Sequence, residues 1–200
     1  GAVSSGINKI FPEESVPMNP LNTVRGAITA GFAAAIVLSL LIAPTTFHEL
    51  GLARWLHILA GITWIGLLYY FNLVQIPGLA AAAADKGGPG GAGISKYVAP
   101  RALLWFRWAA VATWLTGAWY LGRSGNFLGA FTLGLGSDPL NYYQLVIGIG
   151  AWLGTIMLFN VWALIWPNQK KVLGLVAASD EEKAQARKVA LFASRTNFVL

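Results

Sequence analysis

The sequence predicts an all-α protein, a multi-pass transmembrane helix bundle of at least four spans with a fifth beginning at the carboxy end. Three observations carry this. Hydrophobic residues make up 56% of the 200 and charged residues only 11%, whereas soluble domains carry about 25% charged residues. Four apolar runs, near 27–43, 55–78, 103–121 and 142–166, approach or exceed the roughly 20 residues that a helix needs to cross about 30 Å of hydrocarbon. Of the 14 basic residues, 12 fall on one side of the membrane when these runs are threaded through it, which is the asymmetry that orients membrane helices.

Residues 1–25 form a polar tail containing Pro12, Pro17 and Pro20, and residues 26–200 form the membrane domain. Asn22 or Thr23 is placed to cap the first span, Ala27–Ala43. That span holds Gly31 and a run of alanines, small residues that let helices approach closely in a bilayer. Pro44 ends it, and a short linker containing His48 and Glu49 leads to Arg54.

The second span, WLHILAGITWIGLLYYFNLVQIPG (55–78), is the most informative. At 100° per residue, His57, Gly61, Trp64, Leu68, Asn72 and Gln75 fall within about 80° of one another, so the strongly polar side chains share one stripe. An unpartnered polar group in hydrocarbon costs several kcal/mol, so this stripe faces protein or a cofactor. The segment LAAAAADKGGPGGAGISK that follows reads as a flexible glycine-rich loop. It has neither the GK[ST] ending nor the preceding strand of a phosphate loop.

The third span, Leu103–Leu121, carries four tryptophans, and Arg107 lies about one turn inside it, set to snorkel outward or to pair with an acid. The linker FLGAFTLGLGSDPLN is too short to cross and reads as a re-entrant or surface segment. The fourth span, Tyr142–Trp166, contains Gly150 and Gly154 in GxxxG spacing, a close-packing signal in an apolar helix. Ser179 and Glu182 form a capping box that opens an amphipathic helix over 179–200. The chain begins at Gly1 and ends as a new apolar run starts at Phe198, so it is expected to be part of a longer product.

Charge and composition exclude several classes. Cysteine is absent, which removes disulfides, thiolate metal sites and covalent haem attachment within these residues. The net charge of +6 is not a nucleic-acid footprint, because the basic residues flank apolar runs and form no patch interleaved with exposed aromatics. It is topogenic. With the amino terminus cytoplasmic, only Arg54 and Arg123 lie outside, and His57 sits near the outer leaflet. No acidic residue lies within a span, so neither a buried carboxylate pair nor a Ser–His–Asp set is legible.

Several strings, in order, resemble one family: HILAGITWIGLLYYFNLVQ, WFRWAAVATWLTG, FNVWALIWPNQKK and ASRTN. They resemble the amino-terminal membrane domain of the bacterial cytochrome c-linked urate oxidase (membrane urate hydroxylase) family, over about residues 24–200. A histidine followed by a glycine and a tryptophan in an early span is also similar, more distantly, to the copper-resistance D-type and membrane protoporphyrinogen-oxidase families, the latter binding haem b through membrane histidines. The resemblance implies a bacterial inner-membrane location, oxidation of urate, and electron exit through a cytochrome c domain or other membrane subunits. The chain departs from that pattern in having no CxxCH motif.

His57 is the best candidate for a functional residue and for a metal ligand. A neutral imidazole inside a bundle is a good axial ligand for haem b, with Gly61 clearing room, Trp64 packing on the edge and Arg54 meeting a propionate. The competing reading is that His57 bonds a neighbouring helix and Gly61 marks a helix crossing. Asn72, Gln75 and Asn160 are candidates to line a cavity for a purine-like substrate, or else to join helices. Catalytic residues are not legible. Two function classes therefore stand: a redox membrane domain, and an accessory subunit packed in a larger membrane complex.

Overall fold

The computed structural model describes residues 19–46 and 48–200. Most of the expected tail, residues 1–18, lies outside the described residues. Every regular element among the described residues is helical. Three helices are long and apolar enough to cross a membrane: Val24–Ile42, Glu49–Ala84 and Tyr142–Val172. The chain divides into two compact units, residues 1–48 and 49–200.

In the first unit the described elements are a turn at Pro20–Asn22, helix α1 (Val24–Ile42) and a turn at Pro44–Thr46. Of the two candidate caps, Thr23 serves, its Oγ1 accepting from the Gly26 amide at 3.0 Å. No residue of α1 is buried.

The second unit starts with α2 (Glu49–Tyr69), which runs through a π-helical stretch, Tyr70–Gln75, into α3 (Ile76–Ala84). Helix α4 (Ala99–Arg123) is preceded by a π-helical stretch at Ile94–Val98. After the short α5 (Phe127–Phe131) come α6 (Tyr142–Phe159), a third π-helical stretch at Asn160–Ile165, α7 (Trp166–Val172) and α8 (Asp180–Val199). Each wide stretch ends two residues before a proline: Pro77, Pro100 and Pro167. The cause is local. Proline has no amide hydrogen and its ring collides with the carbonyl four residues back, and a wider turn makes room without ending the helix.

The glycine-rich segment differs from the expected loop. Its alanines complete α3 and its end is helical again from Ala92, so that only residues 85–91 are non-helical. Alanine has the highest helix propensity, and the preceding helix supplies the nucleus that a run of five would otherwise lack. The third expected span is a helix of 25 residues. Arg107 and its tryptophans make it less apolar than the three helices above.

The core joins Trp64, Leu68 and Phe71 of α2 and its extension to Leu103, Phe106 and Ala110 of α4, and to Met157, Val161 and Ile165. Phe71 meets Phe106 edge to face at 5.4 Å. Helix α8 lays Ala186, Ala190, Ala193 and Asn197, one face at helical spacing, against this core. Two amides fasten it there. Asn72 Nδ2 donates to Ser194 Oγ at 3.0 Å, and Asn160 Nδ2 donates to Asn197 Oδ1 at 2.8 Å. Asn197 Nδ2 in turn donates to the Met157 carbonyl at 2.9 Å.

The capping box of α8 forms as expected, with Ser179 Oγ accepting from the Glu182 amide and the Glu182 carboxylate accepting from the Ser179 amide. Ser179→Ala removes one of these bonds and is expected to cost about 1 kcal/mol. Thermal unfolding in detergent reads this, and an unchanged midpoint would show that the cap does not limit stability.

Candidate functional site

A cavity of about 490 Å³ opens between α2, α4, α5 and α6, within the ~300–1,000 Å³ range of ordinary small-molecule sites. Helix α2 contributes Arg54, His57 and Trp64, at intervals of three and seven residues and hence on one face. Helix α4 contributes Thr113, Trp114, Gly117 and Tyr120, while Phe131 closes one side. Helix α6 contributes Val146, Ile147, Gly150, Ala151 and Gly154. The wall is mostly apolar.

His57 is held by the backbone of α4. Its Nδ1 lies 2.8 Å from the Thr113 carbonyl oxygen, and a carbonyl only accepts, so in the neutral ring Nδ1 carries the proton. Nε2 therefore keeps its lone pair, and it has no hydrogen-bond partner among the described residues. The approach depends on Gly117. A Cβ there would lie 2.9 Å from Cε1 and 3.1 Å from Nδ1 of the imidazole, closer than side chains pack. The Thr116 hydroxyl turns back to the Ala112 carbonyl at 2.6 Å and completes the polar surroundings, 3.4 Å from Nδ1.

Two glycine assignments change. Gly61 does not line the cavity; a Cβ on it would meet Thr113 Cγ2 at 3.8 Å, an ordinary contact. Gly117, on a different helix, clears the space beside His57. Gly150 and Gly154 do line the cavity, and a Cβ on either would meet nothing within 4 Å. They widen the cavity and do not pack a helix crossing. The close-packing glycine of α6 is Gly148, where a Cβ would collide with the Ala130 carbonyl oxygen.

Arg54 stands at the exposed rim. Its Nη2 donates to the Tyr120 hydroxyl at 3.0 Å and its guanidinium lies 5.3 Å from the centre of that ring. Glu49 is engaged elsewhere, accepting from Arg123 Nε at 2.7 Å and from Trp119 Nε1 at 2.9 Å. Among the described residues Arg54 thus has no carboxylate partner, and the rim keeps a positive charge. Trp64 is 4% exposed and lines the inner wall, and its buried indole nitrogen has no partner among the described residues.

The expected substrate amides are not in this cavity. Asn72 and Asn160 donate to α8, as described above, and among the described residues Asn72 Oδ1 and the Oε1 of half-buried Gln75 lack a partner. No group of three or more His, Cys, Asp or Glu side chains arranged to hold a metal ion occurs among the described residues. Thr113, Gly117 and Tyr120 were missed by sequence reasoning. The signal available was a glycine in a tryptophan-rich helix, in the string TGAWY, with no second glycine three or four residues away.

Family models, curated proteins and solved structures were all compared with the chain, and none matches.

Proposed function

We propose that the chain is a membrane-embedded redox domain that binds haem b through His57, as the resemblance to the urate oxidase membrane domain implies. The observation that carries the reading is the His57–Thr113 hydrogen bond. Metal-ligating histidines almost always give their second ring proton to a carbonyl or carboxylate, which fixes the tautomer and raises ligand basicity. Here the free Nε2 belongs to a residue that lines an apolar cavity, with Arg54 and Tyr120 at its rim to receive carboxylates. These residues fit the group. When bound, haem supplies a one-electron redox centre. The protein's part is to hold the ring orientation of His57, to neutralise propionate charge at Arg54 and to exclude water with Trp64, Trp114 and Phe131.

In this reading α4 is a fourth span, the amino terminus is cytoplasmic in a bacterial inner membrane, and a fifth span continues from the end of α8. Urate is the proposed substrate of the full assembly, and a cytochrome c domain or other membrane subunits take its electrons. One observation favours the second reading, an accessory subunit: Asn72 and Asn160 serve helix packing and not a purine site.

A reduced-minus-oxidised absorption spectrum of the purified chain, expressed with haem supplied, tests the proposal. A b-type band is expected. No band from a preparation whose circular dichroism shows intact helices would favour the accessory reading.

A further inference from the structure

We propose a second site, at Trp166, that binds the phosphate of an anionic phospholipid headgroup through Arg107 and Lys170. The proposal rests on the membrane placement above and is independent of haem. Two cations converge on one indole: Arg107 Cζ lies 3.8 Å from the ring centre of Trp166, and Lys170 Nζ lies 5.9 Å from it. Neither has a carboxylate partner among the described residues. On α8, Glu182 lies 3.8 Å from Lys171 and Asp180 3.5 Å from Lys183.

Bringing like charges together without a counterion is unfavourable, more so away from bulk water. An aromatic face relieves part of this through cation–π attraction. It does not satisfy the donors. A guanidinium packed against a ring at 3.8 Å uses its face, and its five N–H groups lie in its own plane, the geometry that recognises phosphate oxygens. No hydrogen bond from Arg107 to another described residue competes for them.

The surroundings select a lipid. Trp166 stands where the apolar run of the helix Tyr142–Val172 turns into Asn168, Gln169, Lys170 and Lys171, the level at which tryptophans meet headgroups. On α4, Trp105 and Trp108 are 62% and 55% exposed beside Arg107 and offer apolar surface along which acyl chains can run. Basic pockets between spans on the cytoplasmic side are established headgroup sites, and the charge asymmetry puts this end of the helices there.

The test is the melting temperature of the detergent-purified full chain with added phosphatidylglycerol, phosphatidylcholine or inorganic phosphate. Phosphatidylglycerol should raise it and phosphatidylcholine should not. In Arg107→Gln/Lys170→Gln the apparent affinity for phosphatidylglycerol should fall roughly thirtyfold. Lys170→Gln alone, at a partly exposed position, keeps the test available if the double variant does not fold. Equal responses to both lipids, or an unchanged response in the variants, would overturn the site. A response to inorganic phosphate matching that to phosphatidylglycerol would overturn the lipid assignment. A chain that stays monodisperse without detergent would overturn the membrane placement itself, which the lipid comparison alone does not test.

Discussion

On the proposed haem reading, His57→Ala is expected to abolish the b-type band, and Gly117→Ala to weaken cofactor binding by about 10–100-fold while leaving the ligand in place. The first follows from the cavity's donor inventory, since His57 is the histidine that lines it. The second is steric. An alanine Cβ at 117 would stand 2.9 Å from Cε1 of the imidazole, so the ring must leave the Thr113 carbonyl or the two helices must part. Losing the partner that orients a metal-bound histidine typically costs 10–100-fold in affinity. Haem titration followed by absorbance measures both. Gly61→Ala is the control, because its Cβ would make only an ordinary 3.8 Å contact. It should bind as the parent does. Full binding by His57→Ala would move the ligand elsewhere, and equal behaviour of the two glycine variants would remove the positioning role of Gly117.

Asn197→Leu should destabilise the protein by about 2–3 kcal/mol, the largest stability effect expected of a single polar substitution here. Asn197 is 2% exposed and Asn160 8% exposed, and each depends on the other. Hydrogen bonds between membrane helices average only about 0.6 kcal/mol, so the lost bond is the smaller part. The larger part is the Asn160 amide left buried without an acceptor, together with the Met157 carbonyl that loses its Asn197 donor. The double variant Asn160→Leu/Asn197→Leu removes both polar partners and should recover part of the loss. Denaturant unfolding in detergent provides the comparison. A double variant less stable than the sum of the two singles would contradict this account.

The local chemistry of the helices was readable from particular residues. The Thr23 and Ser179 caps follow from side chains that compete for free amides at helix starts. The stripe through His57, Trp64 and Asn72 was also readable, because the helical period alone puts those side chains on one face. The division of that stripe was not. Its amino-terminal part lines a cavity and its carboxy-terminal part meets α8, and helical period says nothing about which neighbour lies opposite.

The glycines make the same point. Gly61, Gly117, Gly150 and Gly154 are chemically identical, yet one makes an ordinary contact, one seats an imidazole and two border open space. The sequence by itself determined an all-helical chain, apolar runs of membrane-crossing length, the charge asymmetry along it and the histidine worth following. Tertiary structure alone decided that Gly117 and the Thr113 carbonyl hold that histidine, and that Asn160 and Asn197 fasten the last helix. The reason is the range of the forces involved. Capping, propensity and period act within about four residues along a helix, whereas these contacts join residues 56 and 37 positions apart and depend on how whole helices rotate against one another.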